Sequence, residues 1–248
     1  MTMYGDKVRI GLIIPSSNVA IEPEFNTMVP SGYSVHSTRL FYQYDARDTE
    51  GNLKEMARGT EEAARLLATA GVNIITYGCT TGSLVGGAGW DEGIIQQIRD
   101  ATGISATTTA TAVIRVFQEL ELEKVAVASP YSKAQNQMEQ DFFEVHGITV
   151  TTIKGLDVHR ENLRRLPPEA AYQLALEVDS PEAEAIFLSC TGFKTITVID
   201  KLEQKLGKPV FSSNTATMWD VLRILKYSGK LESFGRLLEH HRAHGAGP

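Results

Sequence analysis

Only two of the 248 residues are cysteines. That excludes a disulfide-stapled scaffold, and neither cysteine has the C-x-x-C or nearby C–H spacing of a metal site. Long hydrophobic runs are also missing: none approaches the roughly 18 residues that a membrane helix needs. There is no basic excess, since 24 Lys and Arg face 30 Asp and Glu, for a net charge of −6. With no basic stripe and no RNA-binding aromatic motif, general nucleic-acid binding is excluded. The opening MTMYGDKVRIGLIIPSSN lacks the charged, apolar, then small order of a signal peptide. The expected location is therefore cytoplasmic, where thiols stay reduced. Neither a dinucleotide fingerprint, a P-loop, H-E-x-x-H nor G-x-S-x-G occurs. The glycine-rich GSLVGGAG reads as a loop. The histidine-rich EHHRAHG near the C-terminus reads as a solvated tail in preference to a metal site.

What is present is an alternation of short apolar runs with amphipathic stretches. VRIGLIIP, VNIITYGC, KVAVASPY, ITVTTIKGL, AEAIFLSC and PVFSS read as strands. Between them, LKEMARGTEEAARLLATAG reads as one helix stopped by Gly71, and GWDEGIIQQIRDATG as a helix stopped by Gly103. TATAVIRVFQELELE, KAQNQMEQDFFEVHG, PPEAAYQLALEVDS, VIDKLEQKLG and TATMWDVLRILKYSG are further helices. Proline sits in the first turn of PPEAAYQLALEVDS, where its missing N–H costs nothing. Near-continuous apolar strands separated by helices indicate parallel strands covered on both faces, an α/β protein.

The chain also repeats itself. VRIGLIIPSSN resembles KVAVASPYSKAQN, NIITYGCTTGS resembles AIFLSCTGFKT, and TTTATAVIRVFQEL resembles SSNTATMWDVLRIL. The three pairs come in the same order, with similar intervals between proline and cysteine. Strand–helix junctions are common, so one pair would mean little; three in register predict two related lobes. The expected division is residues 1–116 plus 215–248 for the first lobe and 117–214 for the second, the last helix packing back on the first. Ligands bind outside the carboxyl ends of strands in open α/β sheets. If those edges face each other, Cys79 and Cys190 enter one cleft from opposite sides.

A thiol between a strand end and a helix N-terminus gains from the helix dipole and from unsatisfied backbone N–H groups, which favour the thiolate. The groups of Thr80 and Thr81 after Cys79, and of Thr191 and Gly192 after Cys190, are placed to hold a carboxylate. Two thiols flanking one carbon can move protons on opposite faces, or one can add covalently while the other handles protons. Read from the residues alone, both cysteines could equally be small buried hydrophobes. Tyr131 reads as a half-buried aromatic or as a donor to a carboxylate, and Asn162 as an exposed loop or cap residue.

GLIIPSSN with EPEFNTMVP, YGCTTGSLVGG, ATGISATTTATAVIRVFQELELEKVAVASPYSKAQNQ, and AIFLSCTGFKTITVIDKLEQKLGKPVFSSNTATMWDVLRIL resemble the aspartate/glutamate racemase superfamily. More narrowly, they resemble its branch of maleate cis–trans isomerases and arylmalonate decarboxylases. The likeness runs to about Lys226. It implies two pseudo-symmetric lobes, each a parallel sheet flanked by helices, with the active site in the cleft between them. It implies a cofactor-free enzyme acting on a small dicarboxylate, and a homo-oligomer. The decarboxylase branch keeps glycine where this chain has Cys79, so the likeness is nearest to the isomerases. There, the cysteine matching Cys79 is the nucleophile and that matching Cys190 manages the proton. Position by position, Asn18, Tyr131 and Asn162 resemble the family's carboxylate binders. Thr80, Thr81, Thr191 and Gly192 lie where its anion-holding loops sit, and Ser17 is a further candidate. No arginine stands at these candidate positions, which implies neutral donors for both carboxylates. One departure is Gly192-Phe193-Lys194, where the isomerases are expected to carry an Asn-Leu-Arg-like stretch. The alternatives are a two-cysteine racemase or decarboxylase of a small acid in the same superfamily, and a non-catalytic small-acid-binding protein.

Overall fold

The computed structural model describes residues 4–43 and 48–239. In chain order the first half forms β1 (Val8–Pro15), α1 (Ile21–Met28), β2 (Tyr33–Leu40), α2 (Thr49–Ala57), α3 (Thr60–Thr69), β3 (Ile74–Tyr77), α4 (Thr80–Leu84), α5 (Trp90–Thr102), β4 (Ser105–Thr108) and α6 (Thr109–Glu119). The second half forms β5 (Lys124–Ser129), α7 (Lys133–Val145), β6 (Thr149–Gly155), α8 (Arg160–Leu163), α9 (Pro168–Val178), β7 (Ala185–Leu188), α10 (Ile199–Leu206), β8 (Val210–Ser212), α11 (Ser213–Ile224) and α12 (Arg236–Glu239). Two four-stranded sheets result, ordered β2-β1-β3-β4 and β6-β5-β7-β8, and every pairing is parallel. The same strand order arises twice along the chain, which is the structural form of the sequence repeat. Apart from Glu239, the histidine-rich C-terminal stretch lies outside the described residues.

Local chemistry explains most of the boundaries. Gly103 and Gly207 end α5 and α10 in the left-handed conformation, the usual helix stop. Ser132 and Gln135 form a reciprocal capping box that starts α7. The stretch read as one helix before Gly71 is in fact two. It breaks at Arg58-Gly59, where the backbone passes so close to the end of β2 that a Cβ on Gly59 would lie 2.9 Å from Leu40 Cδ2. Two strands carried no apolar run. The edge strand β2 is half-buried almost throughout, and β4 is a short Ser-Ala-Thr-Thr.

The two sheets meet through α6 and α11, which pack on each other. Helix α11 also packs on α1, β3 and β4 of the first half as well as on β8. Phe117 of α6 is fully buried among Phe143, Phe187 and Phe211, with ring centroids 5.3, 6.4 and 5.5 Å away and near-perpendicular planes. Edge-to-face pairs of this kind add to the free energy of burial itself. No helix among the described residues is long and apolar enough to cross a membrane. Phe117→Ala should lower unfolding stability by about 3–5 kcal/mol, read from denaturant melts. A loss below about 1 kcal/mol would show that this ring does not lock the halves together.

Candidate active site

Cys79 stands two residues past β3, and Cys190 two residues past β7. Both line one cleft, together with Ser17, Asn18, Thr80, Thr81, Tyr131, Thr191 and Gly192. The cavity of about 50 Å3 holds only a few water-sized spheres, the scale of a compact acid. Of the expected site residues, Asn162 alone is not brought in. It lies exposed on α8, while its neighbours Leu163 and Arg164 line the cleft. Pattern reading also missed Val19, Pro130, Gln135 and Val158 in the wall. Arg164, which lies outside the matched motifs at the end of α8, also lines the cleft.

The two cysteines are held differently. Neither is in a disulfide, and Cys79 is buried while Cys190 is half-buried. Cys79 is the cap of α4, and its sulfur accepts the backbone N–H of Gly82 at 3.3 Å. A side chain at Gly82 would collide with that sulfur, because its Cβ would lie 2.9 Å away. This matches the expectation of a thiol at a helix N-terminus. Cys190 departs from it, since the chain after it turns irregularly and α10 begins only at Ile199. The reason is backbone geometry: Cys190 has φ +94, a strained conformation for a residue with a Cβ. Its own sulfur accepts from Gly192 N–H at 3.4 Å.

That strained turn is held from outside. Cys190 N–H donates to Ser213 Oγ at 3.0 Å, and the Thr80 hydroxyl donates to the same oxygen at 2.9 Å. The Thr191 hydroxyl donates to Gly78 O at 3.1 Å and accepts from Asn18 Nδ2 at 3.0 Å. Asn18 Oδ1 meanwhile caps α1 through Ala20 and Ile21 N–H. Asn18, Thr80 and Thr191 are therefore braces between the two cysteine turns as well as cleft wall. Glu24 of α1 adds the largest brace. It is buried and accepts from Thr195 N–H at 2.7 Å, Ile196 N–H at 3.3 Å and Asn214 Nδ2 at 2.6 Å. Burial pushes its carboxyl above the ordinary value, against those hydrogen bonds. The departing Lys194 also braces: its Nζ donates to Arg164 O at 3.0 Å and ties the Cys190 turn to α8.

Tyr131 is the cleft's buried phenol. Burial first, then the charge that Cys190, Glu139 and Cys79 carry once ionised, raises it well above its ordinary value. It stays a protonated donor at neutral pH. Among the described residues, no group of three or more His, Cys, Asp or Glu could hold a metal ion.

These features define a two-lobed α/β protein with paired thiols in an interlobe cleft. The chain belongs to the arylmalonate decarboxylase family, whose model matches residues 10–238. It is 28% identical to a maleate isomerase of Nocardia farcinica over 246 residues, covering 95% of this chain and 97% of that one. It is 29% identical to an arylmalonate decarboxylase of Bordetella bronchiseptica over 180 residues, 71% of this chain and 75% of that one. Among solved structures it superposes, with a TM-score of 0.86 and 26% identity, on a Nocardia farcinica maleate cis–trans isomerase in which a cysteine is mutated to serine and a succinylcysteine intermediate is covalently bound. The match covers 94% of this chain and 98% of that one.

Glu24→Ala would strand two backbone donors and an amide in a buried site. It should cost about 3 kcal/mol of stability, checked by denaturant unfolding. A neutral outcome would mean that the Cys190 turn is held without Glu24.

Proposed function

We propose that the chain is a maleate cis–trans isomerase that works by covalent addition of a thiolate and needs no cofactor. The observation that carries this is the pairing of Cys79, its sulfur facing the Gly82 N–H, with Cys190 in one small cleft. Maleate cannot rotate about its double bond at a useful rate, so the bond must be made single for a time. The Cys79 thiolate adds to one alkene carbon and forms a C–S bond. The π electrons move toward the neighbouring carbon and its carboxylate, and Cys190 delivers its proton to that carbon. The resulting succinyl-cysteine rotates about the central C–C bond. Cys190, now a thiolate, takes a proton back, the C–S bond breaks, and fumarate leaves with Cys79 restored.

The charge that develops on the carboxylate needs donors already in place. Tyr131 supplies a phenol kept protonated by its burial. Asn18 has a second amide N–H beyond the one given to Thr191. Thr80, Thr81, Thr191 and Gly192 line the same space. The relative with a bound succinylcysteine supports this route. Cys79 favours it over the decarboxylase reading, because moving a proton on a malonate needs one thiol and adding to a double bond while managing a proton needs two.

Vinyl-proton NMR of maleate in heavy water tests the proposal. The native chain should convert maleate to fumarate, with Cys79→Ala and Cys190→Ala each at least about 10³-fold slower. Full activity in Cys79→Ala, or α-proton exchange of a malonate or amino acid with no maleate turnover, would overturn it.

A further inference from the structure

Glu139 has no role in the chemistry above and does not line the cleft. It is nevertheless fully buried on α7, directly behind the second cysteine turn. Its Oε1 accepts the Ser189 hydroxyl at 2.5 Å, and Ser189 is the residue that leads into Cys190. Its Oε2 is buried with no hydrogen-bond partner among the described residues. The elements packed on α7 bring no free cation there: α4 and β7 have no ionisable residue, and Lys154, the only one on β6, is engaged with Glu177 at the surface. Helix α6, which meets α7 through Phe117 and Phe143, carries Glu119 and Arg115, and Arg115 is paired with Asp220; Glu50 of α2, beside Gln137, is paired with Lys54. On α7 itself Lys133, Asp141 and Glu144 lie elsewhere, Asp141 and Glu144 being engaged with Gln137 and Gln140 on the outer face. On its cleft side stands Tyr131, which lies within reach of charge at Glu139, Cys190 and Cys79 alike. An anion so placed would be buried and uncompensated, hydrogen-bonded to the residue that precedes a thiol which must itself become negative.

We propose that Glu139 is a positioning residue for Cys190: as a neutral carboxyl it anchors Ser189 at the entry to the strained turn and keeps negative charge away from the second thiol. The mechanism gives this a purpose. Cys190 has to alternate between thiol and thiolate beside a dicarboxylate, and a third fixed anion would oppose both the thiolate and the substrate. Burial raises the Glu139 carboxyl from 4.5 to about 8, against the bond from Ser189. Its proton therefore stays through neutral pH and leaves under mildly alkaline conditions, where the new charge suppresses ionisation of Cys190.

The proposal rests on the isomerase reading for its purpose, but its test needs no substrate. In Cys79→Ala protein, Cys190 is the single remaining thiol, and its alkylation by iodoacetamide can be followed by mass spectrometry across the pH range. Adding Glu139→Gln, which keeps an acceptor for Ser189 but cannot ionise, should lower the apparent pKa of Cys190. At about pH 9 it should speed alkylation about threefold. Adding Ser189→Ala instead removes the bond that holds the Glu139 carboxyl down and should move the alkaline suppression to higher pH. Thermal melts give a second reading. Glu139 binds its proton in the folded chain up to about 8 and in the unfolded chain only to about 4.5. The native state therefore holds more protons in that window, and stability falls as pH rises through it. Glu139→Gln should remove that fall. Superimposable alkylation profiles with and without Glu139→Gln, or an unchanged slope of melting temperature against pH, would overturn the proposal. Absence of maleate turnover in the native chain, with the alkylation shift intact, would instead count against the isomerase reading alone.

Discussion

One oxygen, Ser213 Oγ, accepts a hydrogen bond from each cysteine turn: from the Thr80 hydroxyl beside the first thiol and from the Cys190 N–H of the second. The sulfurs come from different sheets, so their separation would otherwise depend on how two independent α/β units pack. Ser213 opens α11, the helix that lies against α6 where the halves meet. Thr217 one turn later donates to Thr109 at the start of α6. The two helix N-termini thus form the seam, and the cleft lies above it. Paired-thiol chemistry needs both sulfurs fixed on one small substrate within fractions of an ångström, and a shared acceptor at the seam provides that registration.

The rest of the network supplies what a strained Cys190 requires. A residue with a Cβ stays at positive φ only when its surroundings over-determine it. Here they do. Ser213 holds its N–H, Thr191 ties the next residue to Gly78, Asn214 reaches back to Thr191 O, and Glu24 gathers the amides of Thr195 and Ile196. Most of these groups are neutral. A buried neutral donor keeps its orientation without the desolvation cost of a buried charge, and leaves the cleft able to accept a dianion. The carboxyls of Glu24 and Glu139 stand behind the wall, and burial raises both above their ordinary range.

Much of this is legible in the residues. The apolar runs VRIGLIIP and AEAIFLSC mark central strands because parallel strands are buried on both faces. The echo of YGCTTGS in LSCTGFK pairs the two thiols by pattern alone. Other features leave no such trace. Strand β2 is an edge, half-buried and polar, so its pattern is weak. The break at Gly59 depends on the approach of Leu40, and the approach of Arg164 to the cleft depends on an α8 turn held by Lys194. Asn162 matches a binding position by sequence, yet stands exposed, because which face of a four-residue helix meets the cleft is set by packing. Glu139 reads in sequence as one more charge on an amphipathic helix, and only its burial behind Ser189 distinguishes it.

On the proposed route Cys79 forms a covalent bond to the substrate while Cys190 handles the proton. Peptide-mapped mass spectrometry of Cys190→Ser protein exposed to maleate tests this division. With the proton manager removed, water can still protonate the carbon beside the new C–S bond, but no thiolate is placed to take that proton back, so elimination should stall. An adduct with the mass of one maleic acid should appear on the Cys79 peptide and be absent from Cys79→Ala protein. An adduct found elsewhere in the chain, or maleate turned over at the native rate with no adduct, would contradict it.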